Sequence, residues 1–459
     1  MKTISARAKI LYIIIAAFLV GVVLMSLSFV TPGDEYAMST RNRHIYNGNV
    51  LVSGGRVLDK NGIVLTSTSD TGRVYNEDYT VRLSFLHTLG ESGYIAGGVL
   101  ENYSAELVGF NLLTGVFTAR EKGGNDVKLT LDAELCAKAY RAMDGRKGAA
   151  GVYNYKTGEM VCMVSSPSYD PMDKPKDIDE NEKYDGVYLN KFLYGQYVPG
   201  STFKIVTAAC AVEYSPDVLS RTFTCTGKYR AADGTVTCND THGTVTFQQA
   251  FNQSCNSVFA QLADELGKEK MQATAEKLGV SASLTVNRLH TAKGSYDVAE
   301  ATRAELGWSG IGQHTNLVNP CNMMVLAGAV ANGGVGVLPY YVDGVYTSDG
   351  VLIQDEKTSG TRTYMSVSTA SVIKDLMRST VTDYYGESYF PHMQMCAKTG
   401  TAEVGSDQRP HSWMVGFSLR DDFPYAFAVV LENAGSGYYN AGKTASDIMN
   451  ALFDSLNLD

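Results

Sequence analysis

Three short motifs occur in one order along the chain: Ser201-Thr202-Phe203-Lys204, Ser254-Cys255-Asn256 and Lys398-Thr399-Gly400-Thr401. Together they hold the parts that acyl transfer needs. A serine hydroxyl is a weak nucleophile until a neighbouring base removes its proton, and a lysine does so only when neutral. Lys204 therefore needs its pKa lowered by burial and by a second cation, a role open to Lys398. The tetrahedral intermediate needs preorganised donors, for which the backbone N–H groups of Ser201 and Thr401 are candidates. Ser254 is suited to relay the proton to a departing amine, and Asn256 to hold a substrate amide. The Thr399 and Thr401 hydroxyls beside Lys398 suit a terminal carboxylate, and Gly400 permits close backbone approach by a ligand.

Each motif has a look-alike: Ser371-Val372-Ile373-Lys374, Ser455-Leu456-Asn457 and Lys156-Thr157-Gly158. Context separates them. Pro199-Gly200 precedes Ser201 and an apolar run from Ile205 to Val212 follows it, so Ser201 is expected to open a buried helix at the positive end of its dipole, with Lys204 on the same face. Ser371 lies inside an unbroken helical pattern and reads as a solvated face. Lys156-Thr157-Gly158 sits between two strand patterns and reads as a hairpin turn, and Ser455 lies at the C-terminal end. A Ser-His-Asp mechanism is disfavoured because no G-x-S-x-G elbow is present.

The elements that must position these residues follow from periodicity. A unit opening at Asp126 shows a helical pattern from Ala133 to Met143 and strands at 149–153 and 160–164. Long helix patterns cover 201–213, 246–267, 268–278, 319–332 and 368–380. Strands at 394–398, 413–419 and 425–432 precede a last helix at 441–456. This order describes an α+β fold, an antiparallel sheet with helices packed on it. From Thr31 to about Gly124 the chain reads as short strands, with Arg56 to Leu65 forming a hairpin around Asn61-Gly62.

At 459 residues the chain is long enough for two folded units. Its net charge is −9, and Lys2, Arg7 and Lys9 all precede the first acidic residue, Asp34, so the remainder is more acidic still. Nucleic-acid binding is a poor fit to such a body. No charge interrupts Ile10 to Val30, a run that suits the ~20 helical residues needed to cross a bilayer. Basic residues on its N-terminal side predict a cytoplasmic tail (1–9), a single-pass anchor (10–30) and an extracytoplasmic remainder.

The three motifs and their surroundings resemble those of class B penicillin-binding proteins, the membrane-anchored peptidoglycan transpeptidases. Matching segments include Leu129-Thr130-Leu131-Asp132, Ser166-Pro167-Ser168-Tyr169-Asp170-Pro171, Pro199-Gly200 ahead of Ser201, Gly312-Gln313, Ala331-Asn332-Gly333-Gly334 and Lys398 through Glu403. Arg56 to Leu65 resembles the family's pedestal hairpin and Leu100-Glu101 its later junction. Met172 departs from a common Asn, and His314 from a frequent Gly. The resemblance implies a β-rich pedestal over 31–125 and an α/β/α transpeptidase domain over 126–459. It implies that Ser201 attacks the penultimate D-Ala of a D-Ala-D-Ala stem peptide, that an amine of a neighbouring stem peptide resolves the acyl-enzyme, and that β-lactams acylate the same serine. A polytopic membrane glycosyltransferase is the implied partner, and no cofactor is required for acyl transfer. A D,D-carboxypeptidase or β-lactamase-like hydrolase and a non-catalytic penicillin sensor or scaffold are the rival readings.

Cys225, Cys238, His242 and Cys255 are separated by 12, 3 and 12 residues. Three thiolates and an imidazole suit tetrahedral Zn²⁺, and some relatives from anaerobic clostridia place zinc near this motif. A Cys225–Cys238 disulfide and free thiols are the alternatives. Cysteines 136, 162, 210, 321 and 396 fall in apolar runs and are expected in the core.

Overall fold

The structure, a computed structural model, describes residues 2–30, 46–47, 50–51, 54–69, 72–91, 94–109, 124–357, 360–405 and 407–458. Parts of the expected first module, residues 31–45 and 110–123 among them, lie outside the described residues. The N-terminal helix runs Lys2–Val30. Its stretch Arg7–Leu27 is long and apolar enough to cross a membrane, and none of it is buried against the protein.

The catalytic motifs are organised by a five-stranded antiparallel sheet in the order Met395–Ala402, His411–Ser418, Tyr425–Leu431, Gly148–Asn154, Met160–Ser166. Nearly every side chain of the three inner strands is buried on both faces. Such strands read as continuous apolar runs because helices cover both sides. Helices Ala133–Ala142 and Lys443–Ser455 pack together on one face, and Pro320–Ala331, buried along almost its whole length, crosses the other. The edge strand Met395–Ala402 is paired on one side only among the described residues. The five cysteines outside the Cys/His group are all buried, as expected.

Two expectations are corrected. The first module is not strands alone, because Tyr79–Leu89 is a helix of 11 residues. It is buried on more than one face, so no amphipathic stripe betrayed it. Asp78 caps it, accepting from Thr80 N and Val81 N. The single helix expected over 246–267 is two, Phe247–Asn252 and Asn256–Leu266. The chain turns between them at Ser254, whose φ of +53° lies in the left-handed region.

The hairpin at Asn61-Gly62 is present. Asp59 Oδ1 accepts from Asn61 N and Ile63 N, both at 2.8 Å, and Gly62 takes φ +87°. A second sheet takes strands from both sides of residue 125, in the order Leu352–Asp355, Val342–Tyr346, Asp126–Leu129, Val57–Leu58, Val64–Ser69, Gly72–Tyr75. Asp126–Leu129 lies parallel to Val57–Leu58, and all its other pairings are antiparallel. Arg82 bridges the first module to the segment after Met160–Ser166 through a bidentate pair with Asp170 at 2.7 and 2.8 Å.

Candidate active site

Ser201 does not sit in a regular α-helix. Gly200–Phe203 is a 3₁₀ turn that leads directly into the helix Lys204–Tyr214. In a 3₁₀ turn residues i and i+3 eclipse, and Lys204 Nζ accordingly lies 3.1 Å from Ser201 Oγ. Gly200, at φ +54°, makes the bend that starts the turn. The turn is fixed to the sheet by Trp413, fully buried, whose indole N–H donates to Val198 O at 3.0 Å. Loss of such a side chain costs about 3–5 kcal/mol.

The three motifs converge on the Lys204 ammonium. Its Nζ contacts Ser254 O at 2.5 Å, Ser254 Oγ at 3.0 Å and Asn256 Oδ1 at 2.8 Å. From the opposite side Lys398 Nζ reaches Ser254 Oγ at 3.0 Å and Thr399 O at 3.1 Å. Ser254 Oγ thus stands between two lysines that are both completely buried. Burial lowers the pKa of Lys204 to about 7 against the opposing pull of Cys255 and Cys238, so the expected lowering by Lys398 is corrected to burial alone. Burial, with the neighbouring Lys204 charge as the lesser cause, drives Lys398 well below its usual range. The left-handed backbone at Ser254 points both its carbonyl and its hydroxyl at the lysines; such strain persists where surrounding structure over-determines it.

The cleft above these groups has a volume of about 740 Å³ and is lined by Ser201, Ser254, Asn256, Gln313, Thr399, Thr401, Glu403 and the aromatic side chains of Trp308, Tyr384, Tyr385, Tyr438 and Tyr439. Thr401 Oγ1 accepts from Gly437 N at 3.1 Å. A Cβ at Gly400 would meet Pro199 O at 2.7 Å and Thr202 Cγ2 at 3.0 Å, so glycine there lets the nucleophile turn approach the strand closely. His314, which replaces a frequent Gly, adopts φ +67°, a conformation that explains glycine at such a position.

The look-alikes fall elsewhere. Ser371 is exposed on the helix Val367–Thr380, Lys156-Thr157-Gly158 forms the turn between two sheet strands, and Ser455 ends the C-terminal helix. Two contributors escaped the sequence reading. Asn252 Oδ1 accepts from Ser379 Oγ and Thr380 Oγ1, bracing the Ser254 loop against that same helix. Tyr385 closes on Thr399. The Tyr-Tyr-Gly run that ends a helical pattern was its only sequence signal.

Cys225, Cys238, His242 and Cys255 come together with all four ligand atoms within 4.8 Å of one another. His242 Nδ1 lies 3.5 Å from both Cys225 Sγ and Cys238 Sγ, and Cys238 Sγ lies 3.8 Å from Cys255 Sγ. None of the eight cysteines forms a disulfide. Hydrogen bonds from the Cys255 thiol and from backbone N–H groups, including Asn256 N at 3.2 Å, draw Cys238 down to about 3, and the same thiol pairing pushes Cys255 up.

Residues 148–454 match the family model described as the penicillin binding protein transpeptidase domain. The peptidoglycan D,D-transpeptidase PbpA of Mycolicibacterium smegmatis is 28% identical, over 92% of this chain and 93% of that protein. Among solved structures, the D,D-transpeptidase domain of a peptidoglycan glycosyltransferase from Eggerthella lenta is 28% identical, with a TM-score of 0.75 over 89% of this chain and 99% of that one. Penicillin-binding protein A from M. tuberculosis, captured as its penicillin G acyl-enzyme, is 25% identical, with a TM-score of 0.76 over 87% and 99%. A family match through most of the globular chain, on a shared fold and around a serine already paired with a buried lysine, makes this protein a member of the penicillin-binding protein transpeptidase family.

Proposed function

We propose that the chain is a peptidoglycan D,D-transpeptidase that works through an acyl-enzyme on Ser201. The observation that carries the reading is the 3.1 Å contact between Ser201 Oγ and a fully buried Lys204 whose pKa is lowered to about 7. Neutral Lys204 takes the Ser201 proton as Oγ bonds to the carbonyl carbon of the penultimate D-Ala. The N–H groups of Ser201 and Thr401 receive the oxyanion. The proton passes by way of Ser254 to the nitrogen of the terminal D-Ala, the C–N bond breaks and D-Ala leaves. An amine of a second stem peptide then attacks the ester carbon, gives up a proton through the same lysine and serine, and Ser201 regains its hydrogen as the cross-link forms. Asn256 holds the donor amide, and Lys398 with Thr399 and Thr401 holds the terminal carboxylate. A β-lactam enters the same path and stops at the acyl-enzyme.

Mass spectrometry of the penicillin-treated chain tests this. We expect one adduct, on the peptide containing Ser201, absent in Ser201→Ala. No adduct would indicate a scaffold, and rapid turnover of a fluorescent penicillin a hydrolase. Release of D-Ala without a cross-linked product would indicate a carboxypeptidase.

Residues 31–125 are proposed to act as a pedestal and 126–459 as the catalytic unit, held by a membrane anchor over 10–30 with residues 1–9 in the cytoplasm and the catalytic unit outside. A polytopic membrane glycosyltransferase is the proposed partner. The Cys225, Cys238, His242 and Cys255 side chains are proposed to hold Zn²⁺. Zn–S bonds of about 2.3 Å and Zn–N bonds of about 2.0 Å at tetrahedral angles demand S···S separations of about 3.8 Å and S···N of about 3.5 Å, which the spacings above fit. The metal would supply no step of acyl transfer; it would stiffen the loop carrying Ser254 and Asn256. One zinc per purified chain is expected, with a lower thermal midpoint after chelation. No metal and two fewer free thiols under denaturing conditions would end that assignment.

A further inference from the structure

The catalytic strand Met395–Ala402 offers one open edge to the cleft, yet part of that edge is already occupied. The helix Val367–Thr380 does not end in an ordinary cap. Its last turn widens into a π-helix, Val381–Tyr385, closed by Gly386 N donating to Val381 O at 2.8 Å. Single π turns recur where a helix must redirect a functional side chain, and this one delivers Tyr385 to Thr399. Thr399 N donates to the Tyr385 phenol oxygen at 3.0 Å, and that oxygen lies 2.7 Å from Thr399 Oγ1. The ring is held by Tyr438, whose hydroxyl donates to Tyr385 O at 2.9 Å and whose ring lies 5.4 Å away.

Either oxygen can be the donor across this contact, and the orientation that gives the Tyr385 hydroxyl a protein partner is the one in which it donates to Thr399 Oγ1. The phenol oxygen accepts from an N–H that has only one hydrogen to give. Burial pushes the phenol pKa up to about 12, so it keeps its proton. Among the described residues the only side-chain acceptor within reach of the phenol O–H is Thr399 Oγ1. A Thr399 oxygen that accepts from Tyr385 must turn its own hydrogen elsewhere, and the open direction is the cleft. A hydroxyl whose hydrogen is turned to the cleft suits an anion. The Thr399 backbone edge is also consumed, its N–H by Tyr385 and its carbonyl by Lys398. A ligand strand therefore has backbone to pair with at Thr401 and none at Thr399.

We infer that Tyr385 is a positioning residue that sets carboxylate specificity, by locking the Thr399 hydroxyl as a donor to the ligand's terminal carboxylate and by occupying the Thr399 N–H against strand pairing. The inference rests on the transpeptidase reading and deepens it: Tyr385 is what makes the site require a chain end.

The test compares acylation of the full, detergent-solubilised chain by benzylpenicillin and by its methyl ester, which lacks the anion. Wild type prefers the free acid. Tyr385→Phe, which keeps the ring, is expected to narrow that preference about tenfold by slowing the acid and leaving the ester rate within twofold. Thr399→Val is expected to narrow it similarly, and the double variant no further, because both changes remove one hydrogen bond to the carboxylate. The acid-to-ester ratio within each preparation is independent of the folded fraction. Equal slowing of acid and ester in Tyr385→Phe, or additive losses in the double variant, overturns the positioning role alone. A wild type acylated by neither compound overturns the transpeptidase reading, and the role of Tyr385 with it.

Discussion

Ser201–Lys204 and Ser371–Lys374 share a spacing and almost nothing else. The first pair spans a 3₁₀ turn that passes into a helix with no exposed residue among its first eight; the second lies on the solvent-facing side of the helix Val367–Thr380, with Ser371 exposed. Side chains three apart approach each other in both settings. The Lys204 side chain is met by Ser254 from a loop and by Asn256 from the start of the next helix, and Ser254 in turn by Lys398 on the sheet edge. Removing a lysine from water makes its neutral form accessible near neutral pH, and a solvated lysine keeps its proton there. The reactivity proposed for the first pair rests on enclosure, which spacing alone does not supply.

The sharpest way to break the comparison is to exchange its members. Lys204→Ala should slow acylation by benzylpenicillin about 10³- to 10⁴-fold, and Lys374→Ala should change it less than twofold; stopped-flow trapping of a fluorescent penicillin reads both. Comparable losses in the two variants would erase the distinction. Ser254→Ala should cost about 10²-fold in the same assay, since it removes the hydroxyl shared by both lysines and leaves their burial intact. The pH profile sharpens the point further. With Lys204 at about 7 and neutral when active, acylation should fall tenfold per pH unit below that value and level off above it. A flat profile from pH 5 to 9 would argue for another base. The smallest effects concern the two Lys-Thr-Gly sites. Gly400→Ala, which forces a methyl against the Pro199 carbonyl, should cost about 1–3 kcal/mol in denaturant unfolding. Lys156→Ala, which removes an exposed pair with Asp421, should stay within about 0.5 kcal/mol.

That Ser201, Lys204, Ser254, Asn256 and Lys398 would come together was legible because the proposed chemistry needs each functional group, and the breakers around them, Pro199-Gly200 above all, mark the chain locally. The sheet of the catalytic unit was legible for a similar reason, as its strands are apolar runs between turn residues. The helix Tyr79–Leu89 was not, because residues buried on several sides leave no period to detect. The break at Ser254 was missed because neither Gly nor Pro announces it; tertiary contacts from Lys204 and Asn252 hold the chain there. Tyr385 left only the faint mark of its Tyr-Tyr-Gly run, since its contact with Thr399 comes through a π turn that no residue type encodes.

The second sheet has a consequence for how the protein comes into being. Asp126–Leu129 is bracketed by a strand from the beginning of the folded chain and by Val342–Tyr346 from far downstream. The early hairpin can find its parallel neighbour while synthesis continues, but the other flank stays bare until residues past 340 have emerged. Assembly with partners so distant in sequence is slow, and an unfilled strand edge on a nascent chain invites wrong pairing. This sheet can close once residue 355 has been made, ahead of the three catalytic-sheet strands between 395 and 431, so the first folded segment is tied to the middle of the chain before Lys398 exists.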